Sequence, residues 1–499
     1  MATLSPKRNA VPLLSGIPLP YRGKVRDTYE IDHGNMLIVS TDGVSIFDVV
    51  LNALVPEKGM ILTAMSHFWL KFLAKRGIRT HLVAAGADID TFLPPHLRGN
   101  TDLQSRAMVV KRLMMHPVEF IARGYLTGSA FAEYKKTGTV CGHKLFSEFQ
   151  DGDKLLHILD TPTTKAQEGH DEALDAAVIR KKYPRETEML FRIFSMVSSF
   201  VERRGILLAD FKLEFGVLRN EYPIVGDEVA TPDSSRFWDR ANWLEGKKMV
   251  GEHKAPLLLD KQFVRAWGIE QGINDLNPLN PDHVARAHGL VVPHNLIRAT
   301  THIYRYIFWR LFGVTIEEYM NRELGVLLPR KKKRVAIIFG SESDIPSVSN
   351  ILSLLGQCDL SEGIEGTPSV HVISCHRNPI GLDMFATSGC DGADVVIAAG
   401  SKAFALPGIL DALLCSKGKE IPIIGVALGA LGSNALMAAQ LSIEELPGQP
   451  VIMDEIYGRA YSGHKGFYAA LQRIASGELP PAKIRARKPA RFHIDIATL

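Results

Sequence analysis

"ILLADFKLEFG" (residues 206–216) and "YPIVGDEVATPDSSRFW" (residues 222–238) decide the first part of the fold. Both stretches carry short apolar runs, and the pair reads as neighbouring strands of a hairpin. Side chains two apart on a strand share a face, so Asp210, Lys212 and Glu214 point together, and Asp227 and Glu228 follow on the partner strand. Carboxylates facing one another across a hairpin suit a hard divalent cation, with Mg²⁺ and a nucleotide as the expected occupants. The same spacing also suits a surface ladder of salt bridges.

Working outward, "KVRDTYEID" (24–32), "MLIVSTD" (36–42), "AMVVKRL" (107–113) and "PVEFIARGYL" (117–126) read as further strands, while "ILTAMSHFWLKFLAKR" (61–76) and "RETEMLFRIFSMVSSFVERRG" (185–205) read as helices. Strands in runs followed by helices indicate an α+β domain. Near residue 325 the character changes: "LGVLLPRKKKR" (324–334) joins a proline to a basic cluster, and beyond it "RVAIIFG", "SVHVIS", "ADVVIAAG" and "IPIIGVAL" read as short buried strands, each followed by a helix-length segment. That alternation predicts an α/β domain with a parallel sheet and ligands at the carboxyl ends of its strands. The expected division is therefore 1–325, a basic linker 326–334, a second domain 335–478 and a tail 479–499.

Composition narrows the class. The chain has 499 residues, 46% hydrophobic and 22% charged, and a formal net charge of +4, an ordinary balance for a folded enzyme and a poor footprint for nucleic acid. Five scattered cysteines without a CxxC pair argue against a disulfide framework or a zinc site. The proline-interrupted start and the lack of a run of about 20 apolar residues point to a cytoplasmic protein with no membrane span.

Two more clusters carry chemistry in the first domain. In "YRGKVRDTYEID" (21–32), Gly23 permits close backbone approach, and Lys24 and Arg26 can engage phosphates from one strand face. In "EFIARGYLTGSAFAEY" (119–134), Arg123 and Ser129 stand either side of a glycine-bearing turn, a pairing that fits a phosphomonoester. Taken with "ILTAMSHFW", "TPTTKAQEGHDE", "DEVATPDSSRFW" and "DKQFVRAW", these motifs in this order resemble SAICAR synthetase, the phosphoribosylaminoimidazole-succinocarboxamide synthase family of purine biosynthesis, over residues 14–325. The resemblance implies a two-lobed, ATP-dependent ligase that joins the carboxylate of CAIR to the amine of L-aspartate. It implies ATP contacts at Lys24, Arg26 and the strand Arg112–Leu113, Mg²⁺ and ATP at Glu214 and Asp227, and CAIR and aspartate contacts at Arg123, Ser129, Lys212, Asp233 and Arg236. One departure is "TDGVSIFD" (41–48), where the family usually has arginine for Gly43 and alanine for Ile46.

In the second domain "VAIIFGSESDIP" (335–346) ends a strand with Ser341, Ser343 and Asp344, a combination that serves as a helix cap or as an anion and ribose site. "SCHRNP" (374–379) supplies Ser374, Arg377 and His376, the general acid/base candidate. With "AAGSKAFALPG" (398–408), these motifs resemble AIR carboxylase, implying a flavodoxin-like three-layer domain with phosphoribosyl contacts at Ser341, Ser343, Asp344, Ser374, Arg377 and Ser401 and catalysis at His376. That family carboxylates AIR to CAIR with CO₂ or acts on N5-CAIR, and its members form homo-oligomers, octamers among them. The loop departs from the bacterial-type "AGAGGAAHLPG": Ser401 and Lys402 replace paired glycines and Ala405 replaces a histidine. A lysine there is expected to fill the space that paired glycines leave for CO₂ or a carboxylate. The fusion order matches bifunctional purine enzymes; the alternative is a synthetase alone, with a catalytically reduced oligomerisation domain attached.

Overall fold

The computed structural model describes residues 14–19, 21–145, 148–165, 172–219, 222–248, 258–329, 331–349, 363–446, 449–454 and 458–480. The amino-terminal stretch through residue 13, the segment 166–171 of "TPTTKAQEGHDE", Cys358 and the tail from 481 lie outside them. The chain divides into two compact units between Pro329 and Arg330.

Two large antiparallel sheets, with two small two-stranded ones beside them, form the first unit among the described residues. One orders its strands Tyr21–Arg22, Arg26–Glu30, Asn35–Ser40, Ala107–Lys111 and Leu82–Ala85. The other is built on Ile206–Val217, a 12-residue strand buried along almost its whole length. Val118–Leu126 and Ser235–Asp239 flank it, and Ile224–Gly226 pairs with its far end, Glu214 opposite Gly226. The hairpin expected from the sequence is present, but its second arm is only three residues long. Asp227 lies beyond it with φ 55°, so Asp227 and Glu228 stand in a turn and not on the partner strand.

The helix Lys58–Ala74 is buried on nearly every side, with Ile61, Met65, Trp69 and Leu70 fully enclosed, as a helix apolar all round must be. The helix Pro184–Glu202 instead buries one stripe, Leu190, Ile193, Phe194, Val197 and Val201, in the same core. That core continues past the expected boundary: Leu324 and Val326 are buried in it, so residue 326 belongs to the first unit and not to a solvated linker.

The second unit holds five parallel strands in the order Ser369–Val372, Val335–Phe339, Val395–Gly400, Ile423–Ala427 and Tyr461–Ser462. Read in chain order this is 2-1-3-4-5, the flavodoxin-like arrangement. Alternate residues of the central strands feed two cores: Val335, Ile337 and Phe339 pack with Phe467 and Leu471, and Ala336 and Ile338 pack with Leu382 and Leu410. Helices therefore cover both faces. Two features differ from the expectation. Ser369–Val372 is an edge strand that alternates half-buried and exposed residues, and the two-residue fifth strand left no apolar run to read. Leu479 is buried in the first of these cores, so this unit runs past 478.

Candidate functional site

Between the two sheets of the first unit lies a cleft of about 670 Å³. Met36, Ile38, Val110, Leu113 and Met115 make part of its wall apolar; Lys24, Arg26, Lys165, Lys212, Glu214 and Asp227 make the rest ionic. The strand register explains the ionic part. Lys212 and Glu214 are two apart on one strand face, and Lys212 ion-pairs with Glu119 on the neighbouring strand and stands 4.0 Å from Glu214. Lys165 pairs with the other Glu214 oxygen. Arg26 reaches across from the opposite sheet to both Asp227 and Glu228.

Electrostatics set these groups apart. Burial, and then the neighbouring Asp227 charge, pushes the Glu214 carboxyl above its ordinary range. Asp227 is half-buried, and although desolvation works against its charge, Arg26, Lys165 and Lys212 together hold it below that range. Two carboxylates that repel across a cleft, each already answered by a cation, form an acidic centre without excess charge. The sequence reading had Arg26 engaging phosphates; in the structure its guanidinium is committed to Asp227 and Glu228. Lys24 lines the cleft and pairs with Asp48 at 2.6 Å. Arg112 and Leu113 are not on a strand, because Ala107–Lys111 ends before them. Leu113 lines the cleft, while the Arg112 side chain turns to Glu30 at 2.6 Å.

Continuous with the cleft is a smaller recess, about 140 Å³, that shares Lys212, Asp233, Lys261 and Arg265 with it. Three strands in register build its wall: Asp210 lies directly opposite Arg123 on one side and Arg236 on the other. Both guanidiniums bond the buried Asp210 carboxylate, Arg236 at 2.8 Å. Arg123 also donates to Thr161 Oγ1 at 2.9 Å and lies 3.5 Å from Ser129 Oγ. Gly128, with φ 62°, leaves the Arg236 guanidinium room, since a Cβ there would lie 2.5 Å from it. Asp233 is held by Lys58 at 2.8 Å and by the Tyr304 hydroxyl at 2.6 Å. Burial works against its charge, yet Lys58 and Lys261 hold it well below the usual carboxylate range.

Sequence reasoning missed several of these groups. Lys165 and Lys261 sat unassigned inside quoted motifs, and Arg265 follows Lys261 by four residues at the start of the helix Gln262–Glu270, a spacing that signals one helix face. Lys261 and Arg265 are half-buried cations, and desolvation lowers both pKa values. Neither forms an ion pair among the described residues. Ile46, one of the two departures in "TDGVSIFD", lines the cleft and packs where a Cβ on Gly268 would come within 2.3 Å of it.

In the second unit the loops after three adjacent parallel strands leave the sheet at the same, carboxyl end. The Ser401 hydroxyl donates to Asp344 at 2.7 Å, tying "GSESD" to "GSKAF". Ser341 and Ser343 are linked at 2.9 Å, and Ser374 Oγ accepts from the Arg377 amide at 3.2 Å, leaving His376 and Arg377 exposed. The expectation that lysine fills the loop is not met. Lys402 is exposed, at φ 63°, and the buried Phe404 ring lies over Gly340 and Gly400 instead; a Cβ on Gly400 would lie 2.3 Å from it. A non-glycine residue at positive φ costs roughly 1–2 kcal/mol, so Lys402 stands at a position with a backbone reason for glycine.

A two-lobed antiparallel cleft joined to a flavodoxin-like unit is the architecture of a two-domain enzyme of small phosphorylated substrates. The SAICAR synthetase family model matches residues 19–277, and the AIR carboxylase family model matches residues 334–470. The phosphoribosylaminoimidazole-succinocarboxamide synthase of Saccharomyces cerevisiae is 41% identical over 278 residues, 53% of this chain and 88% of that protein. That of Neisseria meningitidis serogroup C is 37% identical over 307 residues, 58% of this chain and 96% of the relative. A solved structure, the SAICAR synthase of Saccharomyces cerevisiae complexed with SAICAR, matches with a TM-score of 0.52 and 36% identity, covering 61% of this chain and 97% of that one. The chain belongs to the SAICAR synthetase family and carries an AIR carboxylase domain after it. No helix among the described residues is long and apolar enough to cross a membrane.

Proposed function

We propose that the first unit forms SAICAR from CAIR, L-aspartate and ATP, and that the second unit supplies CAIR by carboxylating AIR or converting N5-CAIR. The observation that carries the first half is the single continuous recess in a member of this family: an apolar slot, an acidic centre ringed by lysines, and the Arg123–Asp210–Arg236 anion site. A carboxylate does not react with an amine at a useful rate. Phosphoryl transfer from ATP to the CAIR carboxylate gives an acyl phosphate, and the aspartate amine then attacks the acyl carbon, phosphate leaves and the amine gives up its proton. No enzyme nucleophile is required, so positioning and charge stabilisation are the protein's main contribution.

In this reading Met36, Ile38, Leu113 and Met115 hold the adenine and Lys24 holds the phosphates. Among the described residues no cluster of three His, Cys, Asp or Glu side chains could hold a metal ion by itself. Glu214 and Asp227 nonetheless fit a Mg²⁺ that completes its shell with nucleotide oxygens and water. When bound, that ion neutralises charge on the transferred phosphoryl group. Arg26 keeps Asp227 and Glu228 in place. Arg123, Ser129 and Arg236 take the CAIR phosphate and its neighbourhood, Asp233 and Lys212 the imidazole side, and the unpaired Lys261 and Arg265 the carboxylates of aspartate. In the second unit Ser341, Ser343, Asp344, Ser374, Arg377 and Ser401 surround the phosphoribosyl group and His376 moves the proton. The family resemblance supports a cytoplasmic homo-oligomer, an octamer through the second unit.

The test is to assay the full chain for ATP- and aspartate-dependent loss of CAIR, and separately for formation of CAIR from AIR plus bicarbonate or from N5-CAIR. Both activities are expected. SAICAR formation with no carboxylation from either donor overturns the second half, and no turnover of CAIR overturns the first.

A further inference from the structure

A second cavity of the first unit, about 630 Å³, shares no lining residue with the cleft. It lies where the helices Lys58–Ala74, Pro184–Glu202 and His294–Phe312 end beside the helix Ile316–Glu323. Its floor is aromatic. Phe68 packs 4.2 Å from Phe312 and 5.5 Å from Phe200, and Phe72 lies 5.4 Å from Phe200, measured between ring centroids. Its rim is cationic: Lys71, Lys75, Arg76, Arg203, Arg204 and Arg322 stand against Glu318 and Glu323.

Basic residues at helix ends ordinarily answer the helix dipole, and two of these do. Arg76 and Arg204 donate to the carbonyls of Phe72 and Phe200, both at 3.1 Å, while their guanidinium carbons lie 3.6 and 3.7 Å from the centres of the same rings. That role leaves the others over. Lys75, Arg203 and Arg322 are exposed and form no ion pair among the described residues, and Glu318 is partly engaged in capping its own helix. The result is a concave aromatic surface, its rings set at 46° to 75° to one another, with surplus positive charge. Basic segments of this chain, "PRKKKR" and "AKIRARKPAR", carry the wrong sign to occupy it.

We propose that this cavity binds a flat heteroaromatic phosphate of the purine nucleoside monophosphate class. The base lies on the phenylalanine floor and the guanidinium planes, and the phosphate lies among Lys75, Arg203 and Arg322. Cavities of roughly 300–1,000 Å³ suit ligands of this size; base stacking on aromatic and arginine planes and phosphate contacts from lysine and arginine are the matching chemistry. The site is separate from the catalytic cleft, so occupancy would couple to activity only through the helices.

The test uses the full chain with its cleft saturated by a non-hydrolysable ATP analogue, titrated calorimetrically with inosine monophosphate. One additional saturable event is expected. The double variant Lys75→Glu/Arg203→Glu, both exposed residues remote from the cleft, should weaken it at least tenfold while SAICAR formation without added monophosphate stays at the wild-type rate. The milder Phe72→Leu should weaken it severalfold. No additional event, equal affinity in the double variant, or binding of inorganic phosphate as tight as that of the nucleotide overturns the proposal. So does self-association that the double variant abolishes, which would make the cavity an interface between copies of the chain.

Discussion

Lys58→Met isolates the ion pair on which Asp233 depends. Lys58 is fully buried at the start of the most enclosed helix, and its ammonium lies 2.8 Å from the Asp233 carboxylate, which is itself 7% exposed. Removing one partner leaves the other charged and buried, a change that costs roughly 3–5 kcal/mol, whereas removing both charges costs less than the two single losses together. Lys58→Met and Asp233→Asn should each destabilise the first unit by about that range, and the double variant should show a coupling of at least about 2 kcal/mol. All five tryptophans lie between residues 69 and 309, so urea unfolding of the full chain followed by tryptophan fluorescence reports on this unit alone.

The pH dependence gives a second check on the same pair. Asp233 is held below its ordinary range, so its stabilising contribution is complete above the unfolded carboxylate pKa, roughly 3.9, and is lost as pH falls toward the folded value. The Lys58→Met penalty should therefore shrink as pH falls through the acid range, because Asp233 without Lys58 takes up its proton at a higher pH than in the wild type. Single-variant losses below about 1 kcal/mol, or a double variant that costs the full sum of the two, would refute the reasoning.

Three further outcomes follow from the site geometry. Arg123→Lys keeps the charge but loses the fork that reaches Asp210, Thr161 and Ser129, so the KM for CAIR should rise about tenfold or more with a smaller change in kcat; steady-state kinetics decide it. Glu214→Gln should lower kcat on the order of a hundredfold and raise the Mg²⁺ concentration needed for half-maximal rate, and an unchanged Mg²⁺ titration would count against the carboxylate's role. Ser401→Ala removes the bond to Asp344 and should lower carboxylation by roughly 3- to 10-fold while SAICAR formation is unaffected, a separation read from paired assays of one preparation.

Period-two spacing made the shared face of Asp210, Lys212 and Glu214 legible, because strand geometry is local. The cations that neutralise Glu214 and the neighbouring Asp227 and Asp233 were not. Arg26, Lys165 and Lys58 arrive from distant segments, and only tertiary packing says which cation meets which carboxylate. Asp227 was placed on a strand because "YPIVGDEVA" is apolar enough to continue, yet the backbone turns at φ 55° immediately after Gly226. The parallel sheet announced itself through buried apolar runs, but an edge strand such as Ser369–Val372 needs only one apolar face, and Tyr461–Ser462 is too short to have a pattern. At Lys402 the sequence displays side-chain volume, whereas the structure sets the residue apart by its backbone conformation.

The contact between Phe404 and the two strand-end glycines imposes an order on how this loop can change. While the ring is in place, any side chain at residue 400 meets it at 2.3 Å, and ordinary contact at Gly340 begins at 3.6 Å. A lineage or a design that enlarges residue 400 must first replace Phe404 with something smaller, because the reverse order passes through an overpacked intermediate costing about 1–3 kcal/mol. Once Phe404 is gone the reverse change is hindered as well, since a side chain at 400 would block the ring's return. The loop therefore behaves as a ratchet in sequence space, and its pairing of Gly400 with Phe404 is left only through position 404.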